Sequence, residues 1–144
     1  MGYTNYWTPK SLQPNEVPER FWDEAEQVLG KIISKGVILA NGNGTEVITD
    51  PKQIVDREHG TIIFNGFEEL SHETFGLEFP GDWNFCKTVR KPYDLAVKCI
   101  LLLAQKHGLL EPEKPGDTGW SWDGDDKESE YINAYNLMLE LELI

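Results

Sequence analysis

The chain predicts an α+β fold, an antiparallel β-sheet with about three helices packed on one face, in a single domain spanning residues 1–144. Three observations carry that expectation. Apolar residues recur at helical spacing in three separate stretches. Short alternating runs bounded by Asn and Gly occupy the region between the first two of them. The resulting order of elements is β-α-β-β-β-β-α-α. A length of 144 residues, with 40% hydrophobic and 26% charged content, is sufficient for one core and ordinary for a globular domain.

Thr4 to Thr8 places Tyr6 and Trp7 among polar residues and reads as a short strand. Residues 9–17 contain Pro9 and Pro14 and form a loop. Pro18 then suits a first helical position, and Phe21, Trp22, Ala25, Val28, Leu29, Ile32 and Ile33 follow at i, i+3, i+4, i+7 spacing up to a Gly36 cap. Val37–Ala40 and Thr45–Ile48 flank Asn41-Gly42-Asn43-Gly44, a hairpin signal, because Asn and Gly tolerate positive φ. The same Gly-rich stretch lacks the Lys-Ser/Thr ending of a phosphate loop. Thr61–Phe64, closed by Asn65-Gly66, and Phe75–Phe79 complete the strands. The helix after Pro92, spanning 92–107, is apolar nearly all round, which makes it the central, buried helix. Residues 111–127 read as a loop, and a last helix runs from about Lys127 to Leu141, capped by Asp125 or Asp126.

Charge narrows the function classes. With 25 acidic against 13 basic side chains the formal net charge is −12, so binding of a nucleic-acid polymer or an anionic membrane surface is not expected. An acidic surface that mimics DNA stays open. Leu95–Ala104 is too short to span a bilayer. Met1–Trp7 lacks the basic-then-apolar pattern of a signal peptide, and the two cysteines, Cys86 and Cys99, form no disulfide framework or metal spacing. A reducing cytoplasm is the expected location.

Against this acidity, Phe85-Cys86-Lys87-Thr88-Val89-Arg90-Lys91-Pro92-Tyr93-Asp94 concentrates cations at the entrance of the central helix. Arg90 supplies a planar fork suited to phosphate or carboxylate, Lys87 and Lys91 supply point charges, Thr88 supplies a hydroxyl, and helix-start amides would complete an anion cradle. The alternative is structural: from Glu111 onward ten acids face only Lys114 and Lys127, and Arg90 and Lys91 could clamp that acidic third. Asp94, at the helix start, suits the N-terminal dipole. Tyr6, Trp7, Trp120 and Trp122 are candidates for stacking on a base. The segment from Trp120 to Asp126 is rich in acids but departs from the calcium-loop pattern at Lys127 and Glu128. His59, His72 and His107 have no metal spacing, and neither a nucleophile elbow nor a His-Glu-x-x-His motif is present. No cofactor is expected.

Met1-Gly2-Tyr3-Thr4-x-Tyr6-Trp7, Phe64-Asn65-Gly66, Glu73-Thr74-Phe75, Phe85-Cys86-Lys87-Thr88-x-Arg90-Lys91-Pro92-Tyr93-Asp94 and a late Ser-x-Asp-Gly resemble a family of small tailed-bacteriophage proteins. The chain departs from that pattern at Asn5, where the family has His, and at Trp122, which is inserted into Ser-Asp-Gly. The resemblance implies expression in the cytoplasm of an infected bacterium and supplies no reaction. Small phage proteins of this kind often counter host defences, some by sequestering nucleotide signals. Three readings follow. The first is a non-enzymatic, oligomeric binder of an anionic small molecule, a cyclic or signalling nucleotide, through Lys87, Thr88, Arg90, Lys91, Tyr6, Trp7, Trp120 and Trp122. The second is an acidic inhibitor of a host defence enzyme that acts through its C-terminal third. The third is a metal-dependent phosphodiesterase using Asp123, Asp125 and Asp126.

Overall fold

In the computed structural model, which describes residues 4–123 and 130–144, the elements run β1 (Thr4–Trp7), α1 (Glu19–Ser34), β2 (Leu39–Ala40), β3 (Val47–Ile48), β4 (Val55–Asp56), β5 (Thr61–Phe64), β6 (Phe75–Glu78), β7 (Asn84–Lys87), α2 (Asp94–Lys106), β8 (Trp120–Trp122) and α3 (Glu130–Glu140). The fold is α+β, and every strand pairing is antiparallel. The strands divide among three small sheets of order β7-β1-β8, β2-β3 and β4-β5-β6. Three strands, β4, β7 and β8, lie in segments where no strand is expected from the sequence. The expected Asp125 or Asp126 cap of the last helix lies outside the described residues.

The three-stranded sheet with β1 at its centre positions the candidate site. Its register sets Thr4 opposite Lys87, Asn5 opposite Cys86 and Trp122, Tyr6 opposite Phe85 and Ser121, and Trp7 opposite Asn84 and Trp120. Side chains alternate across a strand, so Asn5, Trp7, Cys86, Trp120 and Trp122 share one face. Thr4, Tyr6, Phe85, Lys87 and Ser121 share the other. Burial largely follows this division: Asn5, Trp7, Cys86 and Trp120 are buried, whereas Phe85, Lys87 and Ser121 are exposed, Thr4 being the buried exception on the outer face.

Against the inner face lies α2, which buries ten of its thirteen residues. Its apolar circumference has partners on several sides, since α1 and α3 both pack against it. α1 contributes Phe21, Trp22, Val28, Leu29 and Ile32 to the same core, and it stops before Gly36, whose φ of 97° a residue with a Cβ would resist. α3 adds Ala134, Leu137 and Met138.

The hairpin expected between residues 37 and 48 forms as β2-β3. Asn41 shapes its turn by accepting through Oδ1 from the Thr45 amide at 2.9 Å and the Glu46 amide at 3.1 Å. Asn65 then joins this hairpin to the β4-β5-β6 sheet, exchanging backbone hydrogen bonds with Ala40 at 2.9 and 3.1 Å.

Candidate functional site

The run of residues 85–94 is a strand, a turn and only then a helix. Phe85, Cys86 and Lys87 belong to β7. Val89 and Arg90 turn the chain with φ of 44° and 64°, and the Lys91 amide closes the turn by donating to the Thr88 carbonyl at 2.9 Å. A β-branched residue in the left-handed region, as at Val89, is a strained conformation that the surrounding contacts must hold. α2 begins after it, at Asp94.

This geometry separates the four residues expected to form an anion cradle. Thr88 is fully buried, and its hydroxyl donates to Asp94 Oδ1 at 2.7 Å. Lys91 is half-buried and its ammonium donates to the Glu69 carbonyl at 2.8 Å, so the clamp it makes is to the loop after β5 and not to the acidic C-terminal third. Arg90 is exposed on the turn. Lys87 is exposed on the outer sheet face, and among the described residues no carboxylate pairs with its ammonium. The negative group in the first turn of α2 is the chain's own Asp94.

Asp94 anchors a buried polar cluster under the sheet. Asp94 Oδ1 accepts from Asn5 Nδ2 at 2.8 Å as well as from Thr88, while Lys98 Nζ donates to Asp94 Oδ2 at 2.7 Å and to Asn5 Oδ1 at 2.8 Å. Asn5, Thr88, Asp94 and Lys98 are each fully buried. One buried ion pair thus ties β1, the end of β7 and the first turns of α2 together. The Trp122 ring covers it, with Lys98 Nζ at 5.8 Å from the ring centroid.

The expected stacking aromatics divide between the two faces. Trp7 is 1% exposed and packs on Phe75 with ring centroids 4.9 Å apart, its indole N–H finding no hydrogen-bond partner among the described residues. Trp120 is buried and donates from its indole to Gln105 Oε1 at 2.7 Å. Trp122 stacks on Tyr131 at 4.5 Å. These three rings hold α2 and α3 to the sheet. Tyr6 alone of the four stands on the outer face, where its ring lies near-parallel to Trp83 at 6.2 Å. Trp83 in turn meets Phe85 at 5.6 Å.

Tyr6, Trp83 and Phe85 therefore form an aromatic strip on the open side of the sheet, with Trp83 52% and Phe85 43% exposed. A cleft of about 430 Å³ opens beside it. Tyr6, Trp83 and Ser121 border this cleft on the sheet side together with parts of Trp7 and Trp120, so three of the four expected stacking aromatics reach it, and Glu113, Lys114 and Asp117 border it from the loop that precedes β8. Its size suits a small organic ligand. Trp83, Phe85 and Lys114 were not among the residues singled out from sequence. The trace of the two rings in the sequence is the period-2 spacing Trp83-x-Phe85-x-Lys87, three positions that share one face if the segment is a strand and too few to predict one.

The loop over the cleft is fastened at both ends. Glu111 donates its amide to the Thr8 carbonyl at 2.7 Å, Thr8 donates to the Gly119 carbonyl at 3.2 Å, and Thr118 Oγ1 donates to the Trp120 carbonyl at 2.8 Å. Gly119 has φ of 91°, and a Cβ there would lie 2.5 Å from Leu110 Cβ. Only glycine lets this loop lie so close to the segment after α2.

Other chemistry near the sheet is quiet. Burial pushes the Cys86 thiol up to about 12, and burial raises Cys99 as well, so both stay protonated at neutral pH. Asp123 accepts through Oδ1 from the Thr4 amide at 2.7 Å and through Oδ2 from the Tyr6 hydroxyl at 3.3 Å. Asp125 and Asp126, the other acids of the phosphodiesterase reading, lie outside the described residues. Among the described residues no three His, Cys, Asp or Glu side chains converge to hold a metal ion, and no helix is long and apolar enough to cross a membrane.

The site and fold together describe an α+β protein with an aromatic, mixed-charge cleft on the open face of a three-stranded sheet. No family model, curated protein or solved structure matches this chain.

Proposed function

We propose that the protein binds a small, flat-ringed, negatively charged ligand of the nucleotide class in the cleft beside Tyr6 and Trp83, and holds it without turnover. The observation that carries this reading is the exposed aromatic strip bordering a cleft of ligand size. Half-exposed rings side by side on an open sheet face leave apolar area that a stacked base would cover, at about 1–3 kcal/mol per base. Lys114 on the rim, and Lys87 one residue pair beyond Phe85 on the same face, supply cations for a phosphate. Glu113 and Asp117 on the same rim are acceptors for sugar hydroxyls or amino groups and limit how much negative charge the cleft tolerates. A mononucleotide or cyclic nucleotide fits that balance better than a triphosphate. In the phage setting implied by the sequence resemblance, such binding would withdraw a nucleotide signal from circulation.

The test is thermal shift and calorimetry against a panel of mono-, tri- and cyclic nucleotides, since a ligand that binds only the native state raises the melting temperature by mass action. We expect a cyclic or mononucleotide to raise it by several degrees. Trp83→Ala should abolish that shift; it also removes the ring contacts with Tyr6 and Phe85, so the shift is read against the variant's own unliganded melting temperature. Absence of a shift with every nucleotide, or an unchanged shift in Trp83→Ala, rejects the reading.

A further inference from the structure

We infer that the outward face of α3 docks a basic amphipathic helix of a partner protein, independently of the cleft. α3 uses Ala134, Leu137 and Met138 to pack inward, yet Ile132, Tyr135 and Leu139 point away from the core and are 45%, 42% and 47% exposed. Their i, i+3, i+7 spacing puts them on one stripe. The stripe continues into Tyr131, which stands 6.1 Å from Tyr135 and stacks on Trp122. A helix that needs one apolar stripe to join its own core thus carries a second, and a row of anchors at this spacing is how helix-to-helix recognition is built.

Charge selects the occupant. From Glu130 to Ile144 the chain contains Glu130, Glu140 and Glu142 and neither Lys nor Arg. Lys31 and Lys35 of α1 reach Glu140 at 3.7 and 3.6 Å, while among the described residues Glu130 and Glu142 have no ion pair. A second copy of this chain would set the same acids against each other, on top of a net charge of −12 in each copy, and an anionic membrane surface would be repelled. A helix with apolar residues on one face and Lys or Arg beside them satisfies both features, the apolar stripe giving affinity and the acidic margin setting which partner is accepted.

Two synthetic helices of about five turns with the same Leu stripe serve as probes, one with Lys and one with Glu on the polar face. Calorimetry on the full chain should show binding of the Lys helix and none of the Glu helix. Ile132→Asp combined with Leu139→Asp should weaken the Lys helix at least tenfold, although it adds negative charge. Tyr135→Ser, which introduces no charge, should weaken it at least threefold and serves as the second test should the double variant fail to fold. Equal or tighter binding by the folded variants would show attraction by charge alone and overturn the proposal. So would failure of the Lys helix to bind, or self-association in sedimentation that the same substitutions abolish.

Discussion

Asp94 and Lys98 stand four positions apart on α2, and the spacing alone would make them an ordinary exposed helix pair. Burial changes their meaning. Both side chains are fully enclosed, so each charge depends on the other and on Asn5 and Thr88. Removing one partner from a buried pair costs about 3–5 kcal/mol, whereas replacing both with apolar groups is often neutral or better. Asp94→Asn should therefore lose roughly that amount in urea denaturation, and Asp94→Leu with Lys98→Met should recover little of it, because Asn5 and Thr88 would be left buried without their partners. The sequence placed Asp94 correctly in a first helical turn but gave no hint that Asn5, 89 positions away, would donate to it. Thr88 and Trp7 were unreadable for the same reason. A threonine beside three cations and a tryptophan in a polar strand look available until the register assigns them a face.

At the level of elements, α1 and α2 are joined by a carboxylate. Glu24 Oε1 accepts from Lys106 Nζ at 2.9 Å and from His107 Nε2 at 2.8 Å, and Oε2 accepts from Arg20 Nε at 3.0 Å. Burial on its own would raise the Glu24 carboxyl, but the hydrogen bonds from Lys106, His107 and Arg20 together outweigh it and hold it down at about 2. Because the folded value lies below the ordinary 4.5, the stabilisation is complete above pH 4.5 and drains away as the pH falls toward 2. Glu24→Gln should be less stable than the parent by on the order of 2 kcal/mol at pH 7, and the difference should shrink between pH 4.5 and 2, as followed by thermal melts across that range. The two long helices were legible because their apolar residues recur over several turns. β7 and β8 were not. β7 turns only Cys86 firmly inward and is embedded in a cationic run, and β8 is three residues inside a polar loop, so neither offered enough alternation to register as a strand.

For the whole molecule, α+β class, antiparallel pairing and a central buried helix were all readable from composition and periodicity. The cleft was not, because its borders come from the start, middle and end of the chain and meet only through strand pairing. Its integrity rests on one junction, where Thr8, Lys10, Leu109, Glu111 and Gly119 exchange backbone hydrogen bonds. Gly119→Ala puts a Cβ into Leu110 at a φ that side chains resist, and should cost about 2 kcal/mol or more in urea denaturation while weakening any nucleotide bound in the cleft. The central position of β1 also imposes an order of events during synthesis. Thr4 donates its amide to Asp123 across 119 positions of chain, and β1 has no second neighbour until β8 exists. At roughly 5–20 residues added per second, the first strand waits on the order of ten seconds for its last partner. The edge of β1 that receives β8 thus stays unpaired until most of the chain has been made, and a chaperone would meet that bare strand edge before any ligand does.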